Sequence, residues 1–180
     1  MEAKFHHPIP FDYDGAYPIH AKNPDFDYGL ILIREHYRTL LQANGIIFLN
    51  EEVWEKQPEN PDFFLLLGVP DQLTEIKSEK LRIIATLHVI EPFESRPDCF
   101  SETSAPTFYG KIRLSHPVTN IEGMSGGPVL SFKKTETGQL KYWLHAVQSR
   151  WIPSKKYIAA CLTKPFAGYI RDIIEKHIKK

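Results

Sequence analysis

The sequence predicts an all-β fold closed by a single C-terminal helix, and three observations carry that expectation. Short runs rich in β-branched and aromatic residues recur along most of the chain, the 14 prolines are scattered as turn punctuation, and helical periodicity is clear only at the end. The expected strands are 27–33 (DYGLILI), 44–50 (NGIIFLN), 63–69 (FFLLLGV), 81–90 (LRIIATLHVI), 109–116 (YGKIRLSH), 126–132 (GGPVLSF), 142–149 (YWLHAVQS) and 156–163 (KYIAACLT). Short strands separated by turn signals bury their apolar faces in a sandwich or a barrel. Between the first two, EHYRTLLQANG (35–45) reads as a short helix or an irregular link closed by Asn44-Gly45. Near the end Thr163 can cap a helix, and Pro165 suits its first turn. Phe166, Ile170, Ile173, Ile174 and Ile178 then share one face, as in an amphipathic helix laid on a β body.

A chain of 180 residues that is 42% hydrophobic and 24% charged can bury a core, in one domain or two small packed halves. Formal net charge is zero and the isoelectric point about 7.1, so no global basic field exists to draw nucleic acid or an anionic membrane. The basic ending EKHIKK reads as a solvated helix end. The longest apolar runs, YGLILI and FFLLLGV, fall far short of the ~20 residues that span a bilayer. The opening MEAKFHHPIPFDYDG lacks the charged-then-apolar order of a secretory signal. Cys99 and Cys161 form neither a disulfide framework nor a zinc spacing; Cys161 in YIAACLT reads as a buried small hydrophobe and Cys99 as a loop residue. The expectation is therefore a cytoplasmic protein without cofactor, metal, nucleic-acid or membrane partner.

One stretch concentrates chemistry. EGMSGGPVLSF (122–132) places three of the chain's 10 glycines around Ser125. An attacking hydroxyl needs an oxyanion hole, two backbone N–H groups converging on the developing negative charge. Glycine allows the turn that would point the amides of Gly123 and Ser125 the same way. Gly126 and Gly127 leave room for substrate and for neighbouring backbone, and Pro128 sets the chain entering the strand VLSF. The plain alternative is a glycine-rich loop between two strands, but five such fixed identities arise by chance on the order of 10⁻⁴ per chain. A strand follows the serine instead of a helix, which disfavours an α/β-hydrolase elbow.

G-x-S-G-G-P leading into a β-branched strand resembles the nucleophile loop of chymotrypsin-like (trypsin-fold) serine proteases, a two-barrel all-β family with a C-terminal helix. The resemblance implies a Ser nucleophile, a His that relays its proton and a buried Asp that orients the His, in the chain order His, Asp, Ser. Asp27 in NPDFDYGLILI is similar to the family's Asp at a strand start, with Asp25 as fallback. FFLLLGVPDQL looks like the first strand of the second barrel, and YWLHAVQSRW like the strand flanking the substrate pocket. The resemblance accordingly places Thr119 at the pocket base and Gln148, Ser149 and Arg150 along the substrate. It covers roughly residues 17 to 178 and is specific at two short motifs.

The stretch before Asp27 is too short for the strands that carry the family's histidine. By chain order the base candidates are His6, His7 and His20, while His116 and His145 belong to the wrong barrel and His36, His88 and His177 carry no signal. Met124 stands where zymogen-derived members have Asp, and Thr119 where an acid would select Lys or Arg. The implied organisation is a chymotrypsin-like double β-barrel. Residues 1–50 would be the remnant of an incomplete first barrel and link, 51–163 the complete second barrel, and 164–180 the helix packed on them. The implied function is a serine endopeptidase acting on polypeptides, either active or in a truncated or inactive form. The alternative is a catalytically silent domain that binds an extended peptide by β-augmentation.

Overall fold

The computed structural model describes Asp12 and residues 17–20, 29–77 and 80–178. The chain divides into two compact units, 1–49 and 50–180. In the first, strands β1 (Tyr17–His20) and β2 (Gly29–Leu32) pair antiparallel, with Tyr17 opposite Leu32 and His20 opposite Gly29. The helical reading of 35–45 is realised as α1 (Glu35–Ala43), which ends through Asn44 and Gly45, the latter at φ +79°. Tyr37 is its buried residue, and the hydroxyl accepts a 2.8 Å hydrogen bond from the Asp12 amide. The strand expected at 44–50 does not form. An apolar run becomes a strand only where a neighbour satisfies its backbone groups; among the described residues none pairs with it, and Ile47 is 90% exposed.

The second unit starts with α2 (Glu51–Glu55), where the Asn50 side chain caps the helix by accepting from the Val53 amide at 3.3 Å. Then come β3 (Phe63–Gly68), a 3-10 turn (Asp71–Leu73), β4 (Thr74–Lys77), β5 (Lys80–Ile83), β6 (Thr86–Pro92) and β7 (Thr107–Arg113). After a long loop follow β8 (Pro128–Lys134), β9 (Leu140–Ile152), β10 (Tyr157–Leu162) and α3 (Thr163–Ile178). Six strands form a closed antiparallel barrel in the order β10-β7-β6-β3-β8-β9, with β9 pairing back to β10. The single strand expected at 81–90 is two. Consecutive Ile83 and Ile84 break the alternation that one strand needs, and β5 pairs with β4 in a hairpin outside the barrel while β6 enters it.

Period-two alternation fills the barrel. Phe64 and Leu66 of β3, Ile90 of β6, Ile112 of β7, Val129 of β8, Ala146 of β9 and Ile158 and Ala160 of β10 form one buried cluster. Bulges between Val129 and Leu130 and between Ala159 and Ala160 shift the β8–β9 and β10–β9 registers. Cys161 is buried, and Cys99 packs against a second small cluster around Phe100, Tyr109 and Ala159.

Helix α3 is tied down where it leaves β10. Thr163 is 2% exposed; its hydroxyl donates to the Leu144 carbonyl at 2.6 Å and accepts from Gln57 Nε2 at 2.7 Å. Farther along, Arg171 forms ion pairs with Glu51 and Glu55 of α2. Because Gln57 Nε2 also reaches the Leu144 carbonyl at 3.0 Å, it keeps a partner when the hydroxyl is removed. Thr163→Val is therefore expected to cost about 1–2 kcal/mol in urea denaturation, the net value of the lost hydrogen bonds. No helix among the described residues is long and apolar enough to cross a membrane.

Candidate active-site loop

The loop between β7 and β8 is built from two consecutive β-turns. The Met124 amide donates to the Ile121 carbonyl at 3.0 Å, and the Gly127 amide to the Met124 carbonyl at 2.9 Å. Each turn puts a glycine third, Gly123 at φ +86° and Gly126 at φ +85°. A positive φ at that position is what a type II turn demands, so the three-residue spacing of these glycines follows from the turns themselves. Gly127 is required for another reason: a Cβ there would lie 2.6 Å from the Leu67 carbonyl oxygen and 2.8 Å from that of Met124.

Two contacts seat the loop on the barrel. Gly126 donates to the Gln148 carbonyl at 2.8 Å and Gln148 donates back to the Gly127 carbonyl at 2.9 Å, fixing the loop to β9. Met124, 1% exposed, inserts its side chain into the core beside Gly68, where a Cβ would lie 2.8 Å from the thioether methyl. The residue between the turns is thus an apolar anchor, and Ser125 next to it is exposed. Among the described residues, the amides of Gly123 and Ser125 have no acceptor and the Ser125 hydroxyl no hydrogen-bond partner. An exposed hydroxyl thus lies beside two acceptor-free amides on a loop hydrogen-bonded to β9.

The other side of Gly123 is closed by the 3-10 turn. A Cβ on Gly123 would overlap the Asp71 carboxylate and lie 3.0 Å from the Asp71 amide, which donates to the Glu122 carbonyl at 2.8 Å. Gln72 clamps the same turn to the loop. Its Oε1 accepts from the amides of Thr119 and Asn120 at 3.2 and 3.1 Å, and its Nε2 donates to the Pro117 carbonyl at 3.0 Å. Trp151 Nε1 donates to Asn120 Oδ1 at 3.0 Å, and Asn120 Nδ2 donates to Glu122 at 2.9 Å. Asp71 and Gln72 carry no motif and follow the strand as ordinary turn residues, so nothing in the sequence marked them.

The remaining site residues expected from sequence distribute as follows. Thr119 is exposed, its hydroxyl donating to Gln72 Oε1 at 3.2 Å. Gln148 is 3% exposed and turned inward, its Oε1 buried without a partner. Ser149 donates to the Ala159 carbonyl at 3.3 Å, and the Arg150 guanidinium lies 5.5 Å from the Phe100 ring centroid. His6, His7, Asp25 and Asp27 lie outside the described residues, and of His20 only the backbone, in β1, is described.

Among the described residues no imidazole hydrogen-bonds Ser125. His116 is exposed at the start of the loop, and the His36 ring lies tilted against that of Tyr37 in α1. His88 is 2% exposed inside the barrel, its Nε2 sharing a 3.0 Å hydrogen bond with Thr86 Oγ1; burial pushes its pKa down. His145 sits edge-on to Phe64 and Phe108, and burial pushes its pKa down to about 4, so the ring is neutral at pH 7. It lines a cleft of about 320 Å³ with Phe93, Arg96, Phe108, Tyr109 and Lys164, at the Thr107 end of β7, whereas the serine loop leaves from the Arg113 end. Nothing in the sequence marked His88 as buried or His145 as half-buried, since neighbouring positions on both faces of β6 and of β9 are apolar. Among the described residues no cluster of His, Cys, Asp and Glu could hold a metal ion.

No protein-family model, curated protein or solved structure matches this chain.

Proposed function

We propose that the barrel is the nucleophile-bearing half of a chymotrypsin-like serine endopeptidase, with Ser125 as nucleophile and the amides of Gly123 and Ser125 as the oxyanion hole. The observation that carries this reading is an exposed serine beside two acceptor-free amides, held by two glycine turns at the end of a closed six-stranded antiparallel barrel. Ser125 Oγ adds to the scissile carbonyl carbon as its proton passes to a histidine, and the oxygen turned anionic is held by the two amides. The histidine then returns the proton to the leaving amine, and water hydrolyses the acyl-enzyme by the same route. His6, His7 and His20 are the candidate bases, with Asp27 orienting the imidazole.

A fluorophosphonate probe tests this directly. The expected result is covalent labelling that vanishes in Ser125→Ala and slows in whichever of His6→Ala, His7→Ala or His20→Ala removes the base. Because Ser125 is exposed and makes no hydrogen bond, Ser125→Ala leaves the thermal midpoint unchanged. Labelling that persists in Ser125→Ala places the nucleophile elsewhere.

The second reading is a silent domain that binds extended peptides by strand addition without cutting them. Peptide binding unchanged by Ser125→Ala, with no probe labelling, would distinguish it.

A further inference from the structure

Asp71 is the feature of the loop's surroundings that nucleophilic chemistry leaves unexplained. Its carboxylate lies against the Cα of Gly123, in the space a side chain would need, and its backbone is bolted to the loop through the Glu122 carbonyl. It is exposed, and among the described residues it has neither a hydrogen bond nor an ion pair on its side chain. Neighbouring Gln72 fixes the turn at both ends of its amide, so Asp71 cannot drift away without breaking the contacts of Gln72 with Pro117, Thr119 and Asn120. The carboxylate of Glu122 differs, since Asn120 Nδ2 donates to it at 2.9 Å.

A fixed negative charge beside an amide that is to stabilise a negative oxygen works against that amide. At such separations the repulsion between unit charges is not screened away by salt, whose Debye length is about 10 Å at 0.1 M. The conflict disappears if the bound molecule carries its own cation to this spot. A lysine or arginine side chain next to the carbonyl held at Ser125 would pair with Asp71 and turn the repulsive neighbour into a recognition element.

We propose that Asp71 is a specificity-determining residue that selects polypeptide ligands with a Lys or Arg flanking the peptide unit held at Ser125. The proposal rests on the reading of the Ser125 loop as a peptide-carbonyl site.

The test uses the full chain and fluorescein-labelled hexapeptides of one sequence, in which Lys or Glu is placed in turn at each position and binding is followed by anisotropy. At one position the Lys peptide should bind about tenfold or more tighter than its Glu counterpart, a ratio of the size that charge complementarity supports. In Asp71→Asn the ratio should fall below about twofold, and in Asp71→Glu, which keeps the charge, it should survive. An unchanged ratio in Asp71→Asn overturns the proposal, as does failure of any peptide to bind. Fluorophosphonate labelling in the same samples separates the two ideas. An Asp71-dependent preference without labelling upholds Asp71 while removing the nucleophile; labelling without a preference does the reverse.

Discussion

Gly123→Ala is expected to destabilise the second unit by about 2–4 kcal/mol and to slow any chemistry at Ser125 about 10²–10³-fold. Two costs combine. At φ +86° an alanine meets the penalty of the left-handed region, about 1–2 kcal/mol. Its Cβ would also lie 3.0 Å from the Asp71 backbone amide and overlap the carboxylate, so the 3-10 turn or the loop must move. Movement of either displaces the amide proposed to hold the oxyanion, and loss of one such donor reduces turnover about 10²–10³-fold. Gly126 is an internal control. It has nearly the same φ, +85°, but a Cβ there meets nothing within 4 Å, so Gly126→Ala should cost only about 1 kcal/mol. Urea denaturation of the two variants separates backbone strain from collision. Adding Asp71→Ala to Gly123→Ala should recover part of the difference, and equal stability of the two glycine variants would show that the Asp71 contact is not tight.

Stability of the barrel is expected to fall as pH drops from about 6.5 toward 4, and His145 is the main cause. Its folded pKa is pushed down to about 4 by burial, whereas an unfolded-chain histidine titrates near 6.5. Between those values the unfolded chain binds a proton that the folded chain refuses, so stability rises with pH across this window and is fully present above it. The whole shift corresponds to about 3 kcal/mol as an upper figure. His88, shifted in the same direction by burial, adds to it. In His145→Phe, which keeps an aromatic ring between Phe64 and Phe108 and deletes the buried Nδ1 that has no partner, much of the dependence should vanish. Its stability at pH 7 should lie within about 1 kcal/mol of the parent. Urea midpoints at pH 7.5 and 4.5 check this, and an equal loss in parent and variant would remove His145 as the cause.

Most strands were legible because they are short runs rich in β-branched and aromatic residues, bounded by turn residues. Phe64 and Leu66, Ile158 and Ala160 sit where a period of two puts them. The terminal helix was legible for the same kind of reason, with Phe166 on its buried stripe. Failures came where local pattern and partner availability diverged. The run 44–50 carries the apolar composition of a strand, yet among the described residues no strand pairs with it. The run 81–90 is continuous in composition but changes sheet at Ile84-Ala85.

The candidate site shows the same division. Spacing of Gly123, Gly126 and Gly127 around Ser125 was readable, because turns impose their glycine positions locally. The sequence by itself determined a mostly β body, a C-terminal amphipathic helix and a glycine-turned serine loop, since strand composition, helical periodicity and turn chemistry are each read over a few neighbouring residues. Tertiary structure alone decided that the strands close into a six-membered barrel and that Met124 anchors the loop beside Gly68. It also decided that Asp71 stands against Gly123 and that burial pushes the pKa values of His88 and His145 down. Those outcomes depend on residues far apart in the chain meeting at one place, and burial and charge proximity are properties of that meeting rather than of any segment.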